Sequence, residues 1–452
     1  MPVAIIDPRA GARILLALGC ALLLGLFATG CEKPTHGNLD KWMKSEKGPA
    51  KLKKALSSTS LDPDLSAHAG ENLLRLGQDD EVRKRLEALA PERRTVVVAK
   101  LAPRLWGMAR IEGEMARPTP TQSRGKDTLF DVRGWADPAT RATIDGYLTD
   151  WLTGGYYEGR AMAGRHLGAT IIRALGPTAG EKLIAQVNRL IATPDGDGRR
   201  RKIGSQLLLG LAVSGSPDAA RLILELATTD RGEPTLPERA LDALYKAYVE
   251  TDGTYPLVEP AALAPNIERL VAIAKDDGLS AGPVNDAVKL IRAIGPPTCL
   301  APLLGMINFP HPDPRFRWVG VDSALRCDPV AALPAVALSL SPRGRYARDV
   351  LGGAIWQSLG AATVRRDEIA GAARQMLGNR SWVARWIAIE TLGQLGGKPD
   401  ADLVAKLGKD NARLDGYWGD DGLPANKRKP VMTLGARATE IAAALRAGTK
   451  PP

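Results

Sequence analysis

Residues 172–177 read "IRALGP" and residues 291–296 read "IRAIGP". Each hexapeptide closes an amphipathic segment, and each is followed by another: "TAGEKLIAQVNRLI" after the first, "PTCLAPLLGMI" after the second. Three further stretches share the plan: "ENLLRLGQDDEVRKRLEAL" (71–89), "GSQLLLGLAVSGSPDAARLILEL" (204–226) and "ARWIAIETLGQLGGKPDADLVAKL" (384–407). The common pattern is a helix, a tight turn marked by Gly, Pro or Asp, and a second helix. Gly releases the first helix through a left-handed cap, and Pro or Asp opens the second.

Taking the turn residue as an anchor gives Gly77, Gly176, Gly215, Gly253, Gly295, Asp328, Gly360 and Gly396. From Gly176 onward the gaps are 39, 38, 42, 33, 32 and 36 residues. Helix pairs at that spacing are the mark of a helical repeat array. The apolar periods agree. Val284, Ala287, Val288 and Ile291 fall at i, i+3, i+4 and i+7. In 384–395, Ala384, Ile387, Ala388, Thr391, Leu392 and Leu395 make one stripe, with Trp382, Trp386 and Ile389 as a second beside it. A helix apolar on two sides packs between neighbours on both. "TVVV" (95–98) is β-like in isolation but reads as helix between Pro91 and "AKLAPRLWGMA". The expected fold class is all-α, an α-solenoid of helix–turn–helix repeats.

The pattern resembles the HEAT-repeat family, including the short repeats first described in phycobilisome lyases. The first helix of those repeats reads Val-Arg, Ala-rich turns, then Leu-Gly-x-Leu-Gly-Asp. Arg385, Ala388, Leu392, Gly393, Leu395 and Gly396 match it, and Arg165 and Gly176 match part of it. Other units are degenerate, with no arginine at the matching place around Ser66, Gly204 or Val284. The resemblance covers about 60–89 and 160–445. It implies architecture and is nearly silent on function.

The N-terminus carries an address. "ILLALGCALLLGLFA" (14–28) is an uncharged apolar stretch behind Arg9 and Arg13, in the order of a secretory signal. It is short for a membrane span, which needs about 20 apolar residues. Its end, Ala28-Thr29-Gly30-Cys31, resembles a bacterial lipobox, with Ala28 where Leu is commonest. An ordinary secretory signal is the alternative. The resemblance implies that the Cys31 thiol takes a diacylglycerol and that the chain is cut before it. Cys20 would be discarded. Several acyl chains anchor firmly where one would not. Glu32, rather than Asp, leans toward the outer membrane by the family's sorting rule. The expected layout is signal peptide 1–30, tether 31–38, N-terminal helical repeats 39–112, a long loop 113–137, a repeat array 138–447 and a tail 448–452. Further interruptions fall at 193–202, 308–316 and 414–430.

Composition adds limits. The chain of 452 residues is 44% hydrophobic and 25% charged, as folded proteins are. Its formal charge is +11, of which Asp7, Arg9 and Arg13 contribute a net +1 in the leader. That mild excess suits acidic partners or surfaces and does not call for nucleic acid.

Chemical motifs are sparse. "GPTAGEKL" (176–183) lacks P-loop spacing and fits a helix cap; "DGDGRRRKIGSQ" (195–206) lacks the oxygens of a calcium loop. His36, His68, His166 and His311 each stand without a His or Cys at i+3 or i+4, so no metal site is expected. No catalytic residue and no cofactor is expected. Cys299 and Cys327 lie on the turn edge of adjacent units. They could form a disulfide, but helices 8–10 Å apart favour two buried thiols. Trp382, Arg385 and Trp386, with Arg380 nearby, are either core packing at helical spacing or a recognition patch. The expected function is a membrane-anchored scaffold that binds another envelope protein. The alternatives are a binder of an acidic envelope polymer or lipid headgroup, and a lyase-like enzyme or assembly helper.

Overall fold

The computed structural model describes residues 33–113, 116–192, 202–229, 233–250, 256–307, 309, 315–339, 365–414 and 432–451. Among these the regular elements are helices, and one isolated bridge pairs Arg413 with Thr433. The signal peptide, Cys20, Cys31, Glu32, the anchors Gly253 and Gly360, His311 and most of the three interruptions lie outside the described residues. Two compact units are present: one runs to Trp151 and takes in 163–166, the other holds 152–162 and everything from Leu167.

In the first unit, α1 (His36–Met43), α2 (Gly48–Leu56), α3 (Pro63–Arg75), α4 (Asp79–Glu87), α5 (Pro91–Ala109), α6 (Pro120–Val132) and α7 (Pro138–Thr153, whose last two residues fall in the second unit) follow one another. Local chemistry sets their starts. Asp62 accepts from the Asp64 amide at 2.8 Å, and Pro63 follows at a position where a missing N–H costs nothing. "TVVV" is helical within α5, with Val97 and Val98 fully buried. Helix α3 packs on α2 and α5, α5 on α6, and α1 on α2 and α3.

The loop expected over 113–137 is corrected. Residues 120–132 form α6, followed by a 3-10 turn at Arg133–Trp135. The cause is a capping box: Thr119 Oγ1 accepts from the Gln122 amide at 3.2 Å, and Gln122 Oε1 accepts from the Thr119 amide at 2.8 Å. Gly125 lets α6 press against α5. A Cβ there would stand 3.0 Å from the Ala109 nitrogen and the Leu105 oxygen.

The second unit contains α8 (Tyr157–Ala161), α9 (Gly168–Leu175), α10 (Pro177–Ala192), α11 (Ser205–Val213), α12 (Pro217–Thr228), α13 (Leu236–Tyr248), α14 (Ile267–Ala274), α15 (Ala281–Ile294), α16 (Leu300–Ile307), α17 (Arg315–Cys327) and α18 (Pro329–Ser339). Then come α19 (Arg366–Met376), α20 (Trp382–Leu395), α21 (Ala401–Ala405) and α22 (Leu434–Ala447). The first helices of successive pairs touch in a row, α9–α11–α13–α15–α17. Their partners touch in a second row, α10–α12–α14, and α16 meets α18. That two-row stacking is α-solenoid topology. Beyond it α18 packs on α19 and α20, and α20 on α22.

The anchors sit in the turns. Gly77, Gly176, Gly215 and Gly295 have φ of 74°, 75°, 71° and 86°. At Gly176 and Gly295 ψ is −155° and 168°, so these two are not left-handed caps but occupy a region open essentially to glycine alone. Gly396 has φ −75° and needs no glycine conformation. At the sixth anchor, Asp328 Oδ1 instead accepts from the Val330 amide at 3.1 Å and opens α18. Arg165 does not take the repeat arginine's place: it precedes α9, belongs to the first unit, and bonds Asp131.

Candidate functional site

The expected patch lies on α20. Trp386 is fully buried, and its indole N–H donates to Glu390 Oε1 at 3.2 Å. Glu390 also accepts from Arg437 of α22 through Nε at 2.6 Å and Nη2 at 3.0 Å. Both members of that pair are buried. Arg385 is mostly covered. Its Nε donates to Asp410 at 2.8 Å, and its Nη1 donates to the carbonyls of Asn379 at 2.7 Å and Arg380 at 2.8 Å. Trp382 is half-buried. The recognition-patch reading of Trp386 is therefore corrected, because a side chain without exposed surface meets no partner. Arg385 has a structural use: it ties the turn before its own helix to the segment after α21.

Nearby, Asp400 is buried and accepts from Arg374 at 2.6 and 3.2 Å and from the Gly397 amide at 2.9 Å. The Arg374 hydrogen bond holds this carboxyl below the usual carboxylate range. Cys299 and Cys327 are joined as a disulfide, with Cα atoms 6.4 Å apart. The preference for two thiols is corrected as well. It equated the distance between helix axes with that between Cα atoms, and facing Cα atoms each stand about 2.3 Å inside it. Cys299 precedes α16 and Cys327 ends α17, and these neighbouring helices pack together.

Two clusters were missed. In the first, Lys126 of α6 is 1% exposed. Its ammonium donates to the Ala163 carbonyl at 2.7 Å and to the His166 carbonyl, and pairs with Asp127 at 2.7 Å. Asp127 accepts from the amides of Arg165 at 2.7 Å and His166 at 3.0 Å, while Asp131 takes the Arg165 and His166 side chains. Burial lowers the lysine's proton affinity, and Asp127 opposes that. The Lys126 ammonium meets two carbonyls of the segment 163–166 and Asp127 meets two of its amides, so the cluster fastens that strap.

In the second, His36 and His68 face each other with Nδ1 atoms 2.8 Å apart. His36 Nε2 is 3.3 Å from Asp64, and His68 Nε2 is 2.9 Å from Asp40. Arg104 holds Asp64 at 3.0 Å and Glu71 at 3.3 Å. A contact at 2.8 Å between two ring nitrogens needs one proton between them, since two protons or two lone pairs would repel. The sequence signal was a mirrored pair of i, i+4 spacings, His36/Asp40 on α1 and Asp64/His68 on α3. Among the described residues, no group of three or more His, Cys, Asp or Glu is arranged to hold a metal ion.

No family model and no curated protein matches the chain. Among solved structures, the chain is similar to a crystal structure of a Kap121p mutant, at 11% identity and a TM-score of 0.31. That match covers 97% of this chain and 52% of the other, so the chain spans about half the length of the protein it resembles.

Proposed function

We propose that the chain is a lipoprotein of the cell envelope, held by acyl chains on Cys31 in the outer membrane, whose helical repeats form a scaffold for another envelope protein. The observation that carries the scaffold reading is the two-row stacking of α9 to α18. Stacked repeats offer a continuous series of inter-helix grooves, suited to a long protein partner. The anchor reading rests on the apolar run that ends at Cys31.

Each half has its own test. Cys31→Ser should abolish incorporation of a labelled lipid precursor, and unchanged incorporation refutes the anchor. For the scaffold, a photo-crosslinking residue is placed in turn at the exposed positions Lys182, Arg221 and Arg269 on α10, α12 and α14. Capture of one and the same envelope protein from consecutive positions in that row supports the scaffold. Capture of nothing above background from all three positions overturns it.

A further inference from the structure

The helices next to the proposed anchor carry a one-sided charge. Residues 33–57 hold seven lysines against Asp40 and Glu46. Lys47, Lys51 and Lys54 recur at i, i+4 and i+7 along α2, and all three are exposed. The opposite stripe of that helix, Leu52, Ala55 and Leu56, is buried, and α2 packs on α3. Lys41 and Lys44 are exposed at the end of α1, which packs on α2.

Lys53 is drawn to a carboxylate, Glu81 at 3.6 Å. Lys51 lies over the Trp42 ring, 5.2 Å from its centre. Lys41, Lys44, Lys47 and Lys54 have no carboxylate partner among the described residues. Asp40 is already engaged by His68 and Asn72, which leaves Glu46 as the one acidic group within the row. The excess is made of lysine, a hydrated point charge on a long stem that suits scattered monoanionic headgroups, not a bidentate site.

We propose that this lysine face docks on an anionic phospholipid surface and holds α1 and α2 against the bilayer. The inference rests on the anchor reading for its position. The five residues from Cys31 to Thr35 span at most about 18 Å when extended, which keeps the face close to any membrane that holds Cys31. Basic residues at that range draw on the surface potential of acidic lipid, and each is worth roughly fivefold in partitioning near the surface.

The test uses the full chain, matured in its own envelope and reconstituted into vesicles. One set is phosphatidylcholine, and the other carries roughly one-third phosphatidylglycerol. Exposed amines are acetylated with a water-soluble reagent and quantified by peptide mass spectrometry. Lys406 and Lys409, exposed in the other unit, serve as reference. Labelling of Lys41, Lys44, Lys47 and Lys54 is expected to fall several-fold in the anionic vesicles alone and to return at high salt. Lys44→Glu with Lys47→Glu and Lys54→Glu should abolish the protection of Lys41.

Flotation separates this inference from the anchor. A chain that floats with both vesicles but shows no selective protection overturns the face and leaves the anchor standing. A chain that floats with anionic vesicles alone sustains the face and refutes the anchor. A chain that floats with neither refutes both. Protection by a soluble polyanion without protection by the anionic vesicle overturns the lipid assignment.

Discussion

Trp386→Ala tests the packing of α20 most directly. The indole is fully buried, so its removal loses the transfer energy of a large side chain and leaves a cavity that α20 and its neighbours close only in part. Such changes cost about 3–5 kcal/mol. The indole N–H bond to Glu390 is lost too. Glu390 keeps its two bonds to Arg437, so no orphaned buried charge should push the cost above that range. Trp386→Phe divides the contributions. It keeps most of the ring volume and removes the donor, and should cost about 1 kcal/mol. Thermal unfolding followed by circular dichroism is the assay, and a loss of that size should move the midpoint for the alanine variant by roughly 5–15 °C. Limited proteolysis should show α20 and α22 opening first. A shift under about 1 °C with weakened partner capture would refute the core placement and return Trp386 to a binding face.

Other perturbations probe other contacts. Glu390→Leu should destabilise by about 3–5 kcal/mol, because Arg437 stays buried without its buried partner. Glu390→Leu with Arg437→Met should recover most of that loss in denaturant titrations, and failure to recover would mean the pair itself is strongly stabilising. Lys126→Met should cost about 1–3 kcal/mol, since the Ala163 and His166 carbonyls lose their ammonium donor. The readout is faster amide exchange over 163–166, and unchanged exchange there would refute the strap. Cys299→Ser should cost about 3.5 kcal/mol for a closed loop of 28 residues, and recovery of two free thiols from the native wild-type protein would refute the bond. Asp400 has a lowered folded-state affinity for protons, so its contribution is present above its unfolded value of about 4 and fades as pH falls through the lower folded value. Asp400→Asn should therefore narrow the stability gap between pH 7 and strongly acid solution, and an unchanged gap would refute the assignment.

Much of the architecture was legible because repeats repeat. The turn anchors recur in the sequence, and the structure puts glycine with positive φ at Gly176, Gly215 and Gly295 in turns between helices. Helix α6 was missed although its signal was present. "TPTQ" (119–122) is a capping box with proline at the first helical position, but the stretch around it shows no apolar period and so reads as loop. Without that helix Lys126 and Asp127 could not be recognised as its buried members. The His36–His68 pair joins residues 32 apart, and spacing rules for metal ligands examine only i+3 and i+4. Trp386 was open to two readings because helical spacing places a stripe on a face without saying whether another helix covers it, and contact between α20 and α22 decides that.

The formal charge of the chain overstates what an acidic partner would meet. In the second unit, several arginines tie one helix or turn to another. Arg173 donates to the carbonyls of Pro256 and Leu257 at 3.1 and 2.8 Å, Arg365 to Asp328 at 2.9 Å, Arg366 to the Leu395 carbonyl at 2.9 Å, and Arg374 to Asp400. Each planar guanidinium bridges groups that would otherwise leave a turn loosely fixed. Those cations are already engaged, so they add to net charge without making a strongly attractive surface. The lysines of α1 and α2 differ in both chemistry and partners. Lys41, Lys44, Lys47 and Lys54 form a run of exposed cations without a carboxylate partner among the described residues, in the first helices after Cys31 in the sequence. That run suits an acidic surface beside the proposed anchor. It also makes a sharp demand of the salt dependence: neutralising Lys44, Lys47 and Lys54 should remove most of it, whereas charge reversal at Arg173 or Arg366 should loosen a turn and leave it almost unchanged.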